Sequence, residues 1–339
     1  MRRLVLTYFM VSVVVLIGCT ETQQPDTTSN YPVPKGFPDL VVPTDNPLND
    51  AKIELGKFLF YDKKLSSDNN IACSNCHFQK YGFSDTAIVS TGVSGENGTR
   101  NSPGIINAAW NGIWFWDGRA TSLEQQIRGA MTSPREMFAD TSIISARLAK
   151  DTMYQRMFAN SFNKQTIPNT DLAIKAIATF CRILISGNSR YDQYTNGNTT
   201  ALNEQEKRGM ALFNSEKTRC NSCHNGFNFT DNQFHSLGLH THYYDPGRFN
   251  VTGLDSDVGK FKTPTLRNIE VTAPYMNEGL FSTLDQVIEH YNSGGKLFRN
   301  KDSRIVPLNL TSQEKADLIA FLKSLTDTEF LNNPKFISP

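Results

Sequence analysis

Two pentapeptides, Cys73-Ser74-Asn75-Cys76-His77 and Cys220-Asn221-Ser222-Cys223-His224, carry the clearest chemistry in this chain. In C-x-x-C-H the two thiols add across the vinyl groups of a porphyrin, and the histidine that follows ligates its iron. A zinc site would use the cysteines as thiolates and need two more ligands at matching spacing. Redox C-x-x-C pairs do not need the trailing histidine. The two motifs take four of the six cysteines in the chain, which argues against coincidence. The expectation is two covalent c-type haems, held by Cys73, Cys76 and His77 and by Cys220, Cys223 and His224.

Haem of this kind is attached outside the bacterial cytoplasm, and the N-terminus agrees. Arg2-Arg3 precedes an apolar run from Leu4 to Ile17, a signal-peptide layout too short for a full membrane span. The run ends in Leu16-Ile17-Gly18-Cys19, which resembles a bacterial lipobox and predicts a lipid on Cys19 once residues 1–18 are removed. Thr20 after the cysteine points to the outer membrane, so the chain is expected in the periplasm, anchored by that lipid. Residues 19–44 are polar and proline-containing, which predicts a flexible tether. Loss of Arg2 and Arg3 takes the formal charge from +1 to −1. With no basic patch or charge run, nucleic acid is not an expected partner.

The elements that must position the two motifs read as helices. Asp171 to Ser186 is almost wholly apolar and predicts a buried helix, with Cys181 as an inert thiol inside it. Asn203-x-x-Glu206 and Thr311-x-x-Glu314 have the spacing of capping boxes. Leu284, Val287, Ile288 and Tyr291 share one face at i, i+3, i+4, i+7, which turns Tyr291 inward and His290 away from it. Asn292 and Gly294-Gly295 end that helix. Alternating strand patterns are few. The fold expected is all-α, with two cytochrome c-like haem domains and long loops. The domains are placed at 45–195 and 196–330, with the seam at Tyr194–Thr200.

Several further segments resemble the bacterial di-haem cytochrome c peroxidase family, which includes the MauG branch. They are LGKFLFYDKKLSSDNNIACSNCH, RNSPGIINAAW, FWDGRATSLEQQ, SPREM, FKTPTLRN, VTAPYMNEG and TLDQVIEHYNSGG. The resemblance implies that the haem of His77 reduces hydrogen peroxide and that the haem of His224 takes electrons from a small c-type cytochrome or cupredoxin. It makes Glu136 the proton-moving carboxyl, Gln126 a hydrogen-bonding group of the same pocket, and Trp116 the relay between haems. A carboxyl in an apolar pocket has a raised pKa, which suits that task. Ala130 stands where the family often has proline.

At the family's distal histidine position the ungapped count falls on Val93, which cannot ligate iron and leaves that haem open. The alternative is a shifted loop with another ligand such as Tyr81. The second haem's distal position falls on Tyr291, the ligand type of the MauG branch, with Met276 or a Tyr291 that only packs as alternatives. An anionic oxygen ligand favours ferric and higher states. Thr218 replaces the MauG tryptophan two residues before the second motif, which puts maturation of methylamine dehydrogenase in doubt. The resemblance further implies one calcium ion, held by the Asn101 side chain and the carbonyls of Thr272 and Pro274, and a homodimer. Asn277 replaces the family's histidine in the following turn. His235, His240 and His242 read as surface or propionate-contacting residues, and Arg248 and Arg267 as propionate partners or solvated groups.

The leading expectation is therefore a peroxidase. A MauG-like oxidase of an organic or protein substrate is the alternative, and a non-catalytic electron carrier the third reading.

Overall fold

The computed structural model describes residues 31–339; the signal-peptide and Cys19 expectations lie outside the described residues. The helices are α1 (Asp50–Tyr61), α2 (Leu123–Thr132), α3 (Thr141–Lys150), α4 (Thr152–Ser161), α5 (Thr170–Arg182) and α6 (Arg190–Thr195). They continue with α7 (Glu204–Phe213), α8 (Phe249–Thr252), α9 (Leu284–Ser293), α10 (Ser312–Lys323) and α11 (Thr328–Leu331). The strands among the described residues are β1 (Phe234–His235) and β2 (Phe261–Lys262), an antiparallel pair. The chain is thus mostly helical, as its sequence pattern requires.

Each main helix starts where a side chain can take an unpaired N–H. Asn49 accepts from the Lys52 N–H at 2.7 Å to open α1, and Asn169 from Leu172 at 3.0 Å to open α5. The boxes expected at Asn203/Glu206 and Thr311/Glu314 are both reciprocal. A further box, Thr283 with Gln286, opens α9, and Gly294 at φ 80° closes it in the left-handed region. Helix α5 stops at Arg182 rather than running to Ser186. Leu184 and Ser186 instead use their backbone to grip Asn107, whose side chain accepts from the Ser186 N–H at 2.8 Å.

The same packing device occurs twice. A Cβ on Gly56 of α1 would lie 2.0 Å from the Ala176 carbonyl oxygen of α5; one on Gly209 of α7 would lie 1.9 Å from the Asp317 oxygen of α10. Only glycine permits that approach. One turn further on, Phe60 meets Phe180 at 5.4 Å and Phe213 meets Phe321 at 5.1 Å, both between ring centroids. All four rings are buried, each stabilising the fold by about 2–3 kcal/mol. One apolar cluster gathers α1 to α5, and the other α7, α9 and α10. The chain then returns: Phe330, Leu331 and Phe336 pack into the first cluster.

Two expectations about the connections need correction. The tether reading fails from Tyr31 onward, because Phe37 packs 4.7 Å from Phe227 and 5.4 Å from Trp110, with the Arg267 guanidinium 4.7 Å above it. Polar composition hid one well-placed aromatic. The Tyr194–Thr200 seam begins inside α6, whose Asp192 forks onto the buried Arg267 at 2.8 and 2.9 Å.

Candidate active site

One continuous cavity of 710 Å³ reaches both pentapeptides. Cys73, Cys76 and His77 line it at one end, Cys220, Cys223 and His224 at the other, with Trp116 also on its wall. Short 3₁₀ turns, Cys73–Asn75 and Cys220–Ser222, present each cysteine pair. The two histidines are oriented alike: His77 Nδ1 lies 2.7 Å from the Phe83 carbonyl and His224 Nδ1 3.1 Å from that of Phe229. An Nδ1–H donated to a carbonyl leaves the Nε2 lone pair free for a metal. Burial lowers both pKa values, that of His224 to about 4, so the neutral, ligating form prevails. The residues fit covalent haem at both ends.

Around the His77 end, Glu136, Gln126, Arg119 and Met131 line the wall. Burial pushes the Glu136 carboxyl up to about 7, against the smaller opposing effects of Arg119 and the Ser133 hydroxyl. Gln126 Oε1 is buried without a hydrogen-bond partner, an acceptor kept for something in the cavity. Arg119 stacks 3.3 Å above the Phe115 ring and is held by Asp117 at 2.9 Å. Gly92 and not Val93 lines the cavity here; a Cβ on Gly92 would meet the Arg135 carbonyl at 2.3 Å. The Val93 N–H donates instead to the Glu136 carbonyl at 2.8 Å, so this loop braces the glutamate. Tyr81 is not among the lining residues. Neither residue offers a donor atom to the cavity.

Phe115 takes the left-handed conformation at φ 61°, uncommon for a large side chain. The turn it makes presents Trp114 and Trp116 to the cavity. Trp116 Nε1–H donates to the Asn101 carbonyl at 2.8 Å, and the Trp116 carbonyl accepts from the Lys262 N–H at 2.8 Å. Trp116 is therefore held from both halves of the chain, its indole by Asn101 and its backbone by Lys262.

At the His224 end, α9 points Tyr291 into the cavity beside Cys220 and Cys223, and burial raises its phenol pKa. His290 Nε2 is spent on the Leu237 carbonyl at 3.0 Å, as the helical spacing implies. Met276 also lines the cavity, at φ 72°. Thr218 is buried, its hydroxyl donating to the Leu212 carbonyl. His235 sits between Asp231 at 2.8 Å and Asp302 at 2.9 Å, with Arg304 2.9 Å from its Nδ1. Cys223, Asp231 and His235 have ligand atoms within 4.8 Å of one another, but a thioether at Cys223 would remove that thiolate. His240 pairs with Glu278 at 2.9 Å.

Asn101, Thr272 and Pro274 line the same cavity. Asn101 donates its amide to the carbonyls of Ala87 and Ile88 at 3.1 and 3.2 Å, which turns Oδ1 the other way. Arg267 is fully buried on Asp192, so the solvated reading of it is wrong. Arg248 donates to the carbonyls of Asp117 and Gly118 at 2.9 and 3.0 Å. Sequence reasoning missed Arg100, forked between Asp117 and Asp245, and Lys262. Both lie inside quoted segments, where nothing but their charge marked them.

The fold and this site fit the class of covalent di-haem proteins, with one cavity reaching both attachment motifs. Residues 50–200 match the family model for di-haem cytochrome c peroxidase. A cytochrome-c peroxidase, IdrP1, of Pseudomonas sp. (strain SCT) is 37% identical over 86% of this chain and 85% of its own length. The methylamine utilization protein MauG of Methylorubrum extorquens is 35% identical over 84% of this chain and 80% of its own. A crystal structure of a MauG-like protein associated with microbial copper homeostasis superposes with a TM-score of 0.88 at 37% identity, covering 92% of this chain and 99% of that one. The chain belongs to the di-haem cytochrome c peroxidase family.

Proposed function

We propose that the chain is a peroxidase that reduces hydrogen peroxide to water, taking two electrons from a small c-type cytochrome or cupredoxin. The observation that carries this is the Glu136 carboxyl, poised near neutrality in a cavity wall that it shares with the orphaned Gln126 oxygen. Bound haem supplies the redox-active iron. Ionised Glu136 takes a proton from the incoming peroxide and returns it to the departing oxygen, and Gln126 accepts a hydrogen bond from the peroxide. Trp116 carries electrons from the His224 end of the cavity to the His77 end. His77 and His224 would hold the two haem irons, Tyr291 would supply a further oxygen ligand at the second end, and Asn101, Thr272 and Pro274 would hold one calcium. The chain works in the periplasm as a lipid-anchored protein, and a homodimer is its assembly.

Reduced cytochrome or cupredoxin should be oxidised in proportion to added peroxide, two electrons per molecule, by protein carrying two haems. No donor oxidation at that loading would refute the reading.

Tyr291 supports a second reading, a MauG-like oxidase. A phenol pushed up by burial becomes a phenolate only beside a strong cation such as ferric iron, and such a ligand disfavours the reduced state. Peroxide consumption that depends on an organic reductant, with no turnover of cytochrome or cupredoxin, would select it.

A further inference from the structure

Seven lysine and arginine side chains line the cavity, and their pairing is uneven. Arg100, Arg119, Arg135, Arg219, Arg267 and Arg304 each hold an aspartate or glutamate within 4.0 Å. Lys262 has no carboxylate at that distance among the described residues. Its ammonium donates to the Thr263 carbonyl at 3.0 Å and stands 3.5 Å from Asn232 Oδ1. Burial lowers its pKa to about 8, with Asp231 opposing weakly. A buried cation held by two neutral oxygens is costly unless an anion completes it.

The surroundings say which end of the cavity that anion occupies. The Thr263 carbonyl that holds Lys262 also accepts from the Thr230 hydroxyl at 2.7 Å. Thr230 and Asp231 belong to the loop that leaves His224, and the Asp231 N–H donates to the Cys223 carbonyl at 2.8 Å. Backbone of the same lysine is bonded to Trp116. Lys262 therefore stands between the second haem motif and the relay tryptophan.

We propose that Lys262 is the charge partner of a haem carboxylate at the Cys220–Cys223 end, fixing that cofactor's edge toward Trp116 and raising its reduction potential. This rests on the two-haem reading above. Lys262 is a positioning residue; the cation favours the reduced haem by Coulomb attraction to the added electron.

Lys262→Gln keeps a hydrogen-bond donor on a side chain one atom shorter but removes the charge. In holoprotein titrated spectroelectrochemically, it should move the second haem's reduction equilibrium about tenfold toward ferric, about 59 mV for one electron, while the first haem moves less than twofold. Lys262→Arg should stay within twofold of wild type. Less than a twofold change in Lys262→Gln, or an equal shift in both haems, overturns the proposal. If Lys262→Gln fails to retain the second haem, Lys262→Arg decides: normal loading and potential support the charge, and failed loading despite the charge overturns it. A wild-type chain without two haems by pyridine haemochrome would instead sink the underlying reading.

Discussion

Replacing Glu136 by glutamine should separate activity from stability in opposite directions. The amide keeps the shape but cannot carry a proton between oxygens, so peroxide turnover should fall about 10²–10⁴-fold. Stability moves the other way. The carboxyl sits near 4.5 when unfolded and at about 7 in the fold, a difference worth about 3 kcal/mol at 1.36 kcal/mol per unit. Because the folded value is the higher, the penalty is absent below pH 4.5, grows as pH rises, and is complete above 7. Glu136→Gln should therefore match wild type near pH 4 and be up to ~3 kcal/mol more stable at pH 8. Wild-type turnover should also rise with pH through about 7, as ionised Glu136 takes the first proton. Chemical denaturation of the holoprotein at the two pH values, with initial rates from pH 5 to 9, reads both effects. Turnover within threefold of wild type would refute the proton-transfer role, and a variant less stable at pH 8 would refute the burial argument.

Four further outcomes are expected. Tyr291→Phe should change the ferric spectrum of the second haem and raise its potential; an unchanged electron paramagnetic resonance signal contradicts ligation. Arg267→Ala strands the buried Asp192 carboxylate and should cost about 3–5 kcal/mol in urea unfolding. Gly56→Ala drives a methyl into the Ala176 carbonyl and should cost at least about 1–3 kcal/mol, read as a lowered melting temperature. Calcium that stays with wild-type protein through gel filtration should be lost in Asn101→Ala, as measured by elemental analysis.

What could be read in advance depended on how local the cause was. Capping boxes and the inward face of α9 follow from spacings of three and four residues, and both are present. The helix end at Arg182 was not legible, because the competing partner, Asn107, lies far away in sequence. Phe37 looked like part of a polar tether for the same reason. At the site, Glu136 and Gln126 came from resemblance to a family; their burial and the unsatisfied oxygen needed coordinates. Val93 shows the limit of counting along a loop. The register put it opposite the iron, but Gly92 takes the wall and the valine backbone holds Glu136. Lys262 was invisible because a lysine's lack of a carboxylate is a property of its neighbours.

The repeated glycine contact bears on how such a protein could arise. Gly56 against Ala176 and Gly209 against Asp317, each followed one turn later by a phenylalanine pair, are the same joint built twice. Two copies of one ancestral unit would keep this joint, since any side chain there separates the helices. Differences would then collect in the segments strung between the joined helices, where Glu136 lies in one copy and Tyr291 in the other. Selection for new chemistry could work on those segments without disturbing the frame. On this view the differences between the two ends are younger than the fold that supports them.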